Sequence, residues 1–405
     1  MSRPPAVAMF VYGDASHDSR VAREADALAA SGRDVLVVGH SRAGLPAVVV
    51  RGGWRLIRVG SLSAIRPGDG APRRTGIDRV RWLAGYIGGL REWSTAAATA
   101  AVTWAGERPG VAWHGHDLTG LLAAVRARKI RGGPLVYDSH ELFMEAGAAT
   151  RLPGPAHRAL AALERRHAQS ADLVITVNTG IAQELAIRYG IERAVVVMNC
   201  PTVSDDPPPR LASPLRSSHG LGARPILLHH GGLTDGRGIM ETIGALEFLP
   251  PEVALVFLGD GELVPAIQAV SHVDQGRVFH HGAVAMDELP QWVAGADVGV
   301  IAFQPIERNN VLATPNKLFE CLAVGVPVVV SDFPEMRRVV DDFGVGATCD
   351  PARPESIAAA IRAVLQQSRD GWFAACRTAA TVRFSWQRQS QILIDAYDAL
   401  PDRAR

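Results

Sequence analysis

Short apolar segments alternate with stretches of helical spacing along most of the chain. In the first half, segments such as AVAMFVY, DVLVVG and PLVYDS are each followed by residues whose apolar positions recur every three or four places. Alternation of this kind predicts a parallel sheet with helices packed on both of its faces. We therefore predict a doubly wound α/β domain over residues 1–202.

The pattern breaks once and then restarts. Residues 203–224 are rich in Pro and lack periodicity, which predicts a linker. Strand and helix patterns alternate again over residues 225–384, which predicts a second α/β domain. Residues 385–405 contain apolar positions at helical spacing and predict a C-terminal helix that could cross back to the first domain. The cleft between two such domains is a favoured place for a ligand.

Composition narrows the class of protein. The 405 residues carry 42 Lys and Arg against 41 Asp and Glu, and a net charge of +1 gives no overall attraction to nucleic acid. The four cysteines lack metal-binding spacing and fit a reducing compartment. No apolar run approaches the roughly 18 residues of a membrane span, and the first strand begins too early for a signal peptide. We expect a cytoplasmic protein.

Polar residues follow the predicted strands of the first domain. Carboxyl ends of parallel strands meet at one edge of a sheet, where ligands bind in open α/β folds. Glycine in such a turn lets the backbone approach a ligand. A metal role for the HGHD stretch is weakly supported because a third ligand at known spacing is missing. Substrate contact and a buried structural role stay open for each histidine. The residues concerned are Gly13, Asp14, His114, His116 and His140.

Two helical patterns of the first domain carry arginine. Arg20 and Glu24 are four residues apart, and the simplest interpretation is an ion pair on the surface. From Ile77 to Trp93, arginines are interleaved with an apolar stripe that most simply packs into the core. The alternative is a basic, aromatic surface for a lipid-linked or anionic acceptor, which would make the protein peripheral at the inner membrane face. The arginines are Arg66, Arg73, Arg74, Arg79, Arg81 and Arg91.

A glycine-rich turn in the second domain predicts an anion site. The stretch HHGGLTDGRGIM passes from a strand through Gly231 and Gly232 to Arg237, at the start of a predicted helix. A helix N-terminus offers free N–H groups, and an arginine fork fits phosphate oxygens. A second turn of the same design contains Gly261 and Glu262, where Glu262 contacts a ligand or only complements the helix dipole.

The stretch ATPNKLFECLAVGVPVVVSD predicts a short helix before a buried strand. We predict Thr314 as the N-cap and Pro315 as the first helical residue. Asn316 and Lys317 then lie in the first turn, where Lys317 can pair with a phosphate. Glu320 lies one turn further along and can accept hydrogen bonds from the two hydroxyls of a ribose. Together with Arg237, these residues predict a nucleotide diphosphate site.

Four stretches resemble the retaining glycosyltransferases of family 4, which have the GT-B fold of two Rossmann-like domains facing a central cleft. The stretches are PNKLFECLAVGVPVVVSD, ADLVITVNTGIAQEL, HHGGLTDGRG and LGDGEL. The resemblance covers essentially the whole chain. It implies a nucleoside-diphosphate sugar donor held by the second domain, a hydroxyl acceptor held by the first, and no required metal or other cofactor.

The resemblance also implies roles for particular residues. His116 falls on the cleft histidine that contacts the donor sugar, while Arg237 and Lys317 stabilise the departing diphosphate in a front-face substitution. The donor site then comprises Gly231, Gly232, Gly261, Glu262, Thr314, Asn316 and Glu320. Gly13, Asp14 and His140 lie on the acceptor side. The acceptor is a cell-surface polysaccharide, a glycolipid or a small natural product.

Two positions depart from the family pattern. Many members carry two glutamates separated by seven residues, and Leu312 stands where the first would be. Many also carry an arginine where Gly232 stands, so Lys317 would compensate. Two alternatives therefore stay open. One is a nucleoside-diphosphate-sugar 2-epimerase of the same fold, and the other is a non-catalytic sugar-nucleotide-binding protein.

Overall fold

The chain folds into two compact units. A computed structural model describes residues 4–16, 18–60, 76–273 and 276–401. The first unit comprises residues 1–199 together with 390–405, and the second comprises residues 200–389. Each unit is built on its own sheet.

The first unit is organised on a largely parallel sheet of eight strands, counted over the described residues. In space their order is β3-β4-β2-β1-β5-β6-β7-β8, and only the edge strand β3 runs antiparallel to its neighbour. Strand β1 and most of β2 are apolar and buried because helices cover both faces of the sheet. The strands are β1 (Val7–Phe10), β2 (Val35–His40), β3 (Val48–Arg51), β4 (Trp54–Val59), β5 (Ala112–His116), β6 (Leu135–Ser139), β7 (Leu173–Thr176) and β8 (Ala194–Val196).

The helices of the first unit connect these strands. The helices are α1 (Ser19–Ala30), α2 (Gly76–Ala105), α3 (Asp117–Arg131), α4 (Gly154–Gln169) and α5 (Thr179–Tyr189). Asp18 caps α1 by accepting hydrogen bonds from the N–H groups of Arg20 and Val21. Two short 3-10 helices, Phe143–Glu145 and Gly147–Arg151, precede α4.

Two glycines bring α3 onto the sheet at close range. A Cβ atom at Gly120 would lie 2.1 Å from the carbonyl oxygen of Phe10, and one at Gly115 would lie 2.4 Å from the backbone of Leu121. Any larger side chain at either position would push the helix away from β1 and β5. The absence of side chains therefore sets the depth of α3 on the sheet.

The second unit contains a parallel sheet of six strands, again counted over the described residues. Their order in space is β11-β10-β9-β12-β13-β14. The strands are β9 (Ile226–His230), β10 (Ala254–Leu258), β11 (Val278–His281), β12 (Val298–Ile301), β13 (Val328–Ser331) and β14 (Gly346–Cys349). The strand order reverses between β9 and β12, so the loops after these strands diverge at the carboxyl edge. Such a reversal is the usual ligand position in doubly wound sheets.

The helices of the second unit vary in length from four to fourteen residues. They are α6 (Pro214–Ser217), α7 (Ile239–Gly244), α8 (Val264–Val273), α9 (Leu289–Val293), α10 (Arg308–Leu312), α11 (Asn316–Ala323), α12 (Pro334–Phe343), α13 (Pro354–Leu365) and α14 (Arg369–Val382). A last helix, α15 (Trp386–Asp398), begins in the second unit and continues into residues of the first. In the first unit its Leu393 and Tyr397 are buried.

The structure differs from the sequence predictions in several elements. Strands β3 and β14 were not predicted, since β3 is an exposed edge strand and β14 is short and contains glycine. Residues 203–224 are packed on the second unit and include a 3-10 helix and α6. The cause is Asp297, which binds Arg210, Arg216 and Arg369 and so anchors this segment.

The apolar stripe of α2 is core where its side chains are described. Trp82, Tyr86, Leu90 and Trp93 are all buried, and Ile87 is 55% exposed. Arg66, Arg73 and Arg74 lie outside the described residues, as do the side chains of Arg79 and Arg81. Among the described residues, none of the helices is both long enough and apolar enough to cross a lipid bilayer.

We expect Asp297→Asn to destabilise the second unit by about 3 kcal/mol, because it would leave a buried Arg216 without its carboxylate. In a domain of this size the thermal midpoint should fall by about 6–12 °C. The exposed Asp287→Asn is the matched control. Equal midpoints for the two variants, measured by differential scanning calorimetry, would show that Asp297 does not anchor the segment.

Candidate functional site

A buried carboxylate organises the carboxyl edge of the first sheet. Asp138, at the end of β6, accepts hydrogen bonds from Arg20 Nε at 2.8 Å and Arg20 Nη2 at 2.7 Å. Arg20 also donates to the carbonyl oxygen of Val197 at 2.7 Å. Arg20 Nε lies 3.1 Å from Glu24 Oε1, so the two residues do pair. Both are buried, however, so the prediction that the pair lies on the surface is wrong. A spacing of four residues is compatible with a surface pair or a buried pair, and the packing of α1 against the sheet determines that this pair is buried.

Two histidines share the same carboxylate. Asp138 Oδ2 lies 3.1 Å from Nδ1 of His116 and 2.9 Å from Nε2 of His140. Burial, followed by the neighbouring His114, holds the pKa of His116 well below its usual value, so this ring is neutral. Its Nε2 is buried without a hydrogen-bond partner within the described part of the chain.

His140 is in the opposite protonation state. Its side chain is 20% exposed, and its Nδ1 lies 3.6 Å from Asp117 Oδ2. Burial alone lowers the pKa of His140, but the negative charges of Asp117 and Asp138 outweigh it and raise that pKa to about 10. Asp117 begins α3 with φ of 50°, a conformation costly for a residue other than glycine. Its carboxylate accepts a hydrogen bond from the backbone N–H of His140, and this bond holds the loop after β6 in place.

A second layer of buried polar groups lies behind Asp138. His114 Nδ1 is 2.6 Å from the hydroxyl of Tyr397 on α15, and its Nε2 is 3.8 Å from Glu24 Oε2. Burial, together with the charge of Asp138, raises the pKa of Glu24 to about 8. Glu24 therefore retains a proton at neutral pH, which limits the negative charge that the interior must hold.

This cluster has the residue types of a metal site. Glu24, His114, His116 and Asp138 each offer a ligand atom, and these atoms lie within 4.8 Å of one another. However, Arg20 binds both oxygens of Asp138 and contacts Glu24. A divalent cation at this place would lie beside a guanidinium in a buried environment, where like charges repel strongly. We assign no metal to the cluster.

The loop after β1 is held by its own contacts. The carbonyl oxygen of Gly13 accepts the N–H of His40, and a Cβ at Gly13 would meet no atom within 4 Å. Asp14 binds Arg42 at 2.7 Å. Burial raises its pKa, but the hydrogen bonds from Arg42 and Ser16 prevail and lower it to about 2. Asp14 is therefore ionised and paired, while the backbone at Gly13 is open to approach.

In the second unit, the loops after β9 and β10 are joined. Gly231 N–H donates to the carbonyl oxygen of Leu258, and Leu233 N–H donates to that of Asp260. A Cβ at Gly261 would lie 2.2 Å from Leu233 O, so the two turns are in close contact. Glu262 Oε1 accepts the N–H of Asp235 and thus orders the first loop. Gly232 is exposed, and a Cβ there would meet no neighbouring atom.

Helix α7 begins two residues after Arg237 rather than at it. The N-cap is Gly238, with φ of 70°, and a Cβ there would lie 1.9 Å from the carbonyl oxygen of Ala302. The glycine is therefore required by the close approach to the end of β12. Helix α7 has six residues, so its dipole adds little, and the charge of Arg237 is the principal attraction for an anion.

Arg237 and Lys317 converge on one aromatic ring. Arg237 Cζ lies 4.2 Å from the centroid of Phe303, and Lys317 Nζ lies 5.7 Å from it. Lys317 Nζ is also 3.3 Å from Nε2 of His229. Burial and then the charge of Arg237 lower the pKa of Lys317 to about 7. Two cations held this close together favour the binding of an anion between or beside them.

Glu320 is held by a histidine that the sequence reasoning missed. His230 Nε2 lies 2.9 Å from Glu320 Oε2, and the Glu320 side chain is 14% exposed. The HHGG stretch contained a signal, since two polar residues end an otherwise apolar buried strand. His229 and His230 alternate across the sheet, so one reaches Lys317 and the other reaches Glu320.

The start of α11 also differs from the prediction. The N-cap is Pro315, not Thr314, and the helix begins at Asn316 without a side-chain cap. Proline fixes an extended backbone that suits the N-cap place here. Thr314 and Asn316 are half-buried on the same segment as Lys317. Leu312, which replaces the family's first glutamate, ends α10 and is buried.

Two Rossmann-like units, each with charged groups at the carboxyl edge of a parallel sheet, define a GT-B protein. Sucrose-phosphate synthase from Thermosynechococcus elongatus has this architecture, with a TM-score of 0.74, 18% identity, and coverage of 98% of this chain and 99% of that one. HepE of Anabaena in complex with UDP aligns with a TM-score of 0.69 and 17% identity, covering 98% of this chain and all of that one.

The sequence comparisons name the family. A glycosyl transferase 4-like domain matches residues 18–201, and a glycosyl transferases group 1 domain matches residues 224–367. D-inositol 3-phosphate glycosyltransferase from Xylanimonas cellulosilytica is 29% identical over an alignment of 284 residues that covers 65% of this chain and 66% of that relative. The match thus spans just under two thirds of that relative's length. The chain belongs to the family 4 glycosyltransferases.

We expect His140 to titrate far above a free histidine. Because its folded pKa is raised to about 10, its stabilising contribution is complete below about pH 6.5 and is lost as the pH rises through 10. NMR of the ring Cε1–H should show a charged His140 at pH 8 in the wild type. In Asp138→Asn the midpoint should move down, since one of the two anions is gone. A wild-type midpoint near 6.5 would contradict this assignment.

Proposed function

We propose that the protein transfers a sugar from a nucleoside-diphosphate sugar to a hydroxyl group of an acceptor. The observation that carries this proposal is the convergence of Arg237 and Lys317 on Phe303, with Glu320 one helical turn beyond Lys317. Two cations match a diphosphate, and a carboxylate matches a pair of ribose hydroxyls. The UDP complex of HepE, which has a similar fold, supports this choice of donor.

In this proposal each group of the second unit has a separate task. Lys317 and Arg237 bind the diphosphate oxygens, and their charge stabilises the leaving group as the bond from sugar C1 breaks. Glu320 accepts the ribose hydroxyls with one oxygen while His230 holds the other. Gly231 and Gly232 leave the backbone accessible, and Thr314 and Asn316 precede or begin the helix that carries Lys317. Gly261 and Glu262 act indirectly by ordering the first loop.

The first unit would hold the acceptor and the sugar. In this proposal His116, a neutral ring whose orientation Asp138 fixes, contacts the donor sugar. His140 presents a partly exposed cationic ring, and Gly13 presents an accessible backbone. Asp14 shapes this loop through its pairing with Arg42. The residues thus support binding and orientation and need no metal.

The stereochemical outcome that we propose is retention. The acceptor oxygen forms its bond to C1 on the face from which the diphosphate departs, and the acceptor proton passes to a diphosphate oxygen. The electron pair of the broken C1–O bond remains on the diphosphate, where Arg237 and Lys317 neutralise it. With Leu312 in place of a glutamate, sugar contacts near α11 fall to backbone groups around Ala313 to Asn316.

The donor site is tested by thermal shift against UDP, GDP, ADP and TDP with their common sugars. A nucleotide at 100 times its dissociation constant should stabilise the protein by about 2.7 kcal/mol.

Glu320→Gln should weaken nucleotide binding about tenfold to a hundredfold, since a charge-assisted hydrogen bond is lost. Arg237→Ala should lower turnover by about 10² to 10³. Normal binding and turnover in both folded variants would exclude this site.

The reaction type is tested by product analysis. Incubation with the donor and candidate acceptors, followed by NMR, should give a glycoside with the anomeric configuration of the donor. EDTA should leave the rate unchanged, because the proposed chemistry uses no metal. An epimerised nucleotide sugar formed without an acceptor, or the complete absence of transfer and hydrolysis, would overturn the proposal.

We expect nucleotide affinity to fall as the pH rises above 7.5. Unliganded Lys317 loses its proton with a pKa of about 7, whereas the bound diphosphate favours the charged form. The dissociation constant should therefore rise by about tenfold per pH unit, and binding should take up a proton. Calorimetry in buffers of different ionisation enthalpy measures both the dissociation constant and the proton uptake. Lys317→Arg, whose side chain is always charged, should abolish the pH dependence of binding. A dissociation constant of the wild type that does not change with pH would contradict this prediction.

A further inference from the structure

The helical face of the first unit contains a recess away from the polar edge of the sheet. Helix α3 forms its floor, and α2 and α4 form its walls. The recess has a volume of about 440 Å³, within the range of small-molecule sites. The proposed function makes no use of this region.

The depth of the recess follows from the glycines at the contact between α3 and the sheet. Because Gly115 and Gly120 let α3 approach the backbone of β1 and β5, its outward side chains lie low between two neighbouring helices. Leu122 on this outward face is only half-buried. The recess is thus a consequence of helix-to-sheet packing rather than of a flexible loop.

The walls are apolar and incompletely covered. Ile87 on α2 is 55% exposed, and Leu160 and Leu163 on α4 are half-buried, although all three line the same space. Apolar side chains from separate elements that face one cavity lose little by admitting an apolar ligand. Burial of such a ligand would be favourable in proportion to the apolar surface that it removes from water.

The charged residues that line the recess have one sign. Arg91, Arg126 and Lys129 contribute cations, and His167 contributes an imidazole. Among the residues that the structure describes, none of those lining the recess is acidic. Arg126 donates to Ser94 Oγ at 3.0 Å, which orients its guanidinium within the recess. Partial burial, followed by the charges of Lys129, Arg166 and Arg126, lowers the pKa of His167, in agreement with a positive local field.

We propose that this recess binds a monomeric anionic amphiphile, with its alkyl or isoprenoid chain along α3 and its phosphate or carboxylate head at Arg91, Arg126 and Lys129. The combination of apolar walls and cations of one sign matches both parts of such a molecule. The concave recess of about 440 Å³ fits one ligand, whereas a membrane surface would need a flat or convex face. The site is independent of the donor site and holds whether or not the protein transfers sugar.

The probe is dodecyl phosphate, used below its micellar concentration and measured by isothermal titration calorimetry. We expect saturable binding that weakens with salt, much weaker binding of dodecyl maltoside, and no binding of inorganic phosphate at the same concentrations. Lys129→Gln should weaken dodecyl phosphate several-fold, as loss of one near-surface charge contributes about 1 kcal/mol. Arg131→Gln, at the exposed end of the same helix and outside the recess, is its matched control.

The volume of the recess is tested by filling it. Ala159→Trp places an indole in the recess from an exposed position of α4, and Ala162→Trp places one on the same helix outside it. Dodecyl phosphate binding should weaken at least tenfold in the first variant and stay unchanged in the second. Thermal melts check that both variants fold.

Three results would overturn the proposal. The first is equal binding of dodecyl maltoside and dodecyl phosphate, or equal effects of the two tryptophans. The second is binding to anionic vesicles without binding of the monomer, which would indicate a membrane surface. The third is self-association of the wild type, seen by sedimentation and abolished by Ala159→Trp, without amphiphile binding. That outcome would assign the recess to a second copy of the chain.

Discussion

The pairing of Arg20 with Asp138 is the interaction on which the first unit depends. A carboxylate and a guanidinium are both removed from water here, which is costly unless the geometry is good and the remaining polar atoms are satisfied. The bidentate pairing meets the first condition, and the contacts to His116, His140 and Val197 meet the second. Because these partners come from α1, β5, β6 and the segment after β8, one ion pair fixes the positions of four chain segments.

Charge is managed differently in the two units. In the first, opposite charges are matched internally, because the cations Arg20 and His140 lie beside the carboxylates of Asp138 and Asp117. In the second, burial and the neighbouring charge of Arg237 lower the pKa of Lys317 to about 7. A self-compensated cluster is suited to holding side chains in place. Two neighbouring cations, one of them with a lowered pKa, are suited to receiving an anion from outside.

The sequence predicts the fold more completely than the site. Apolar β-branched runs such as VVV at 328–330 identify buried parallel strands, since both faces of each strand are covered. The exposed β3 and the short β14 carry no such signal. Two arginines show what the sequence does not predict about the site. Arg20 on α1 and Arg216 in the segment 203–224 are charged residues whose burial depends on carboxylates distant in the sequence. Local spacing could indicate that Arg20 and Glu24 are neighbours, but not that Asp138 lies between α1 and two histidines.

The hydrogen bond from Tyr397 to His114 has a consequence for synthesis on the ribosome. The polar cluster of the first unit includes a residue that is translated only after the whole of the second unit. Until Tyr397 has been made, His114 must remain without this partner, and its burial would be costly. The first unit can therefore collapse early but can complete its interior only after the second unit has been made. Completion of the first unit is thus coupled to synthesis of the second, although domains generally fold in order from the N-terminus.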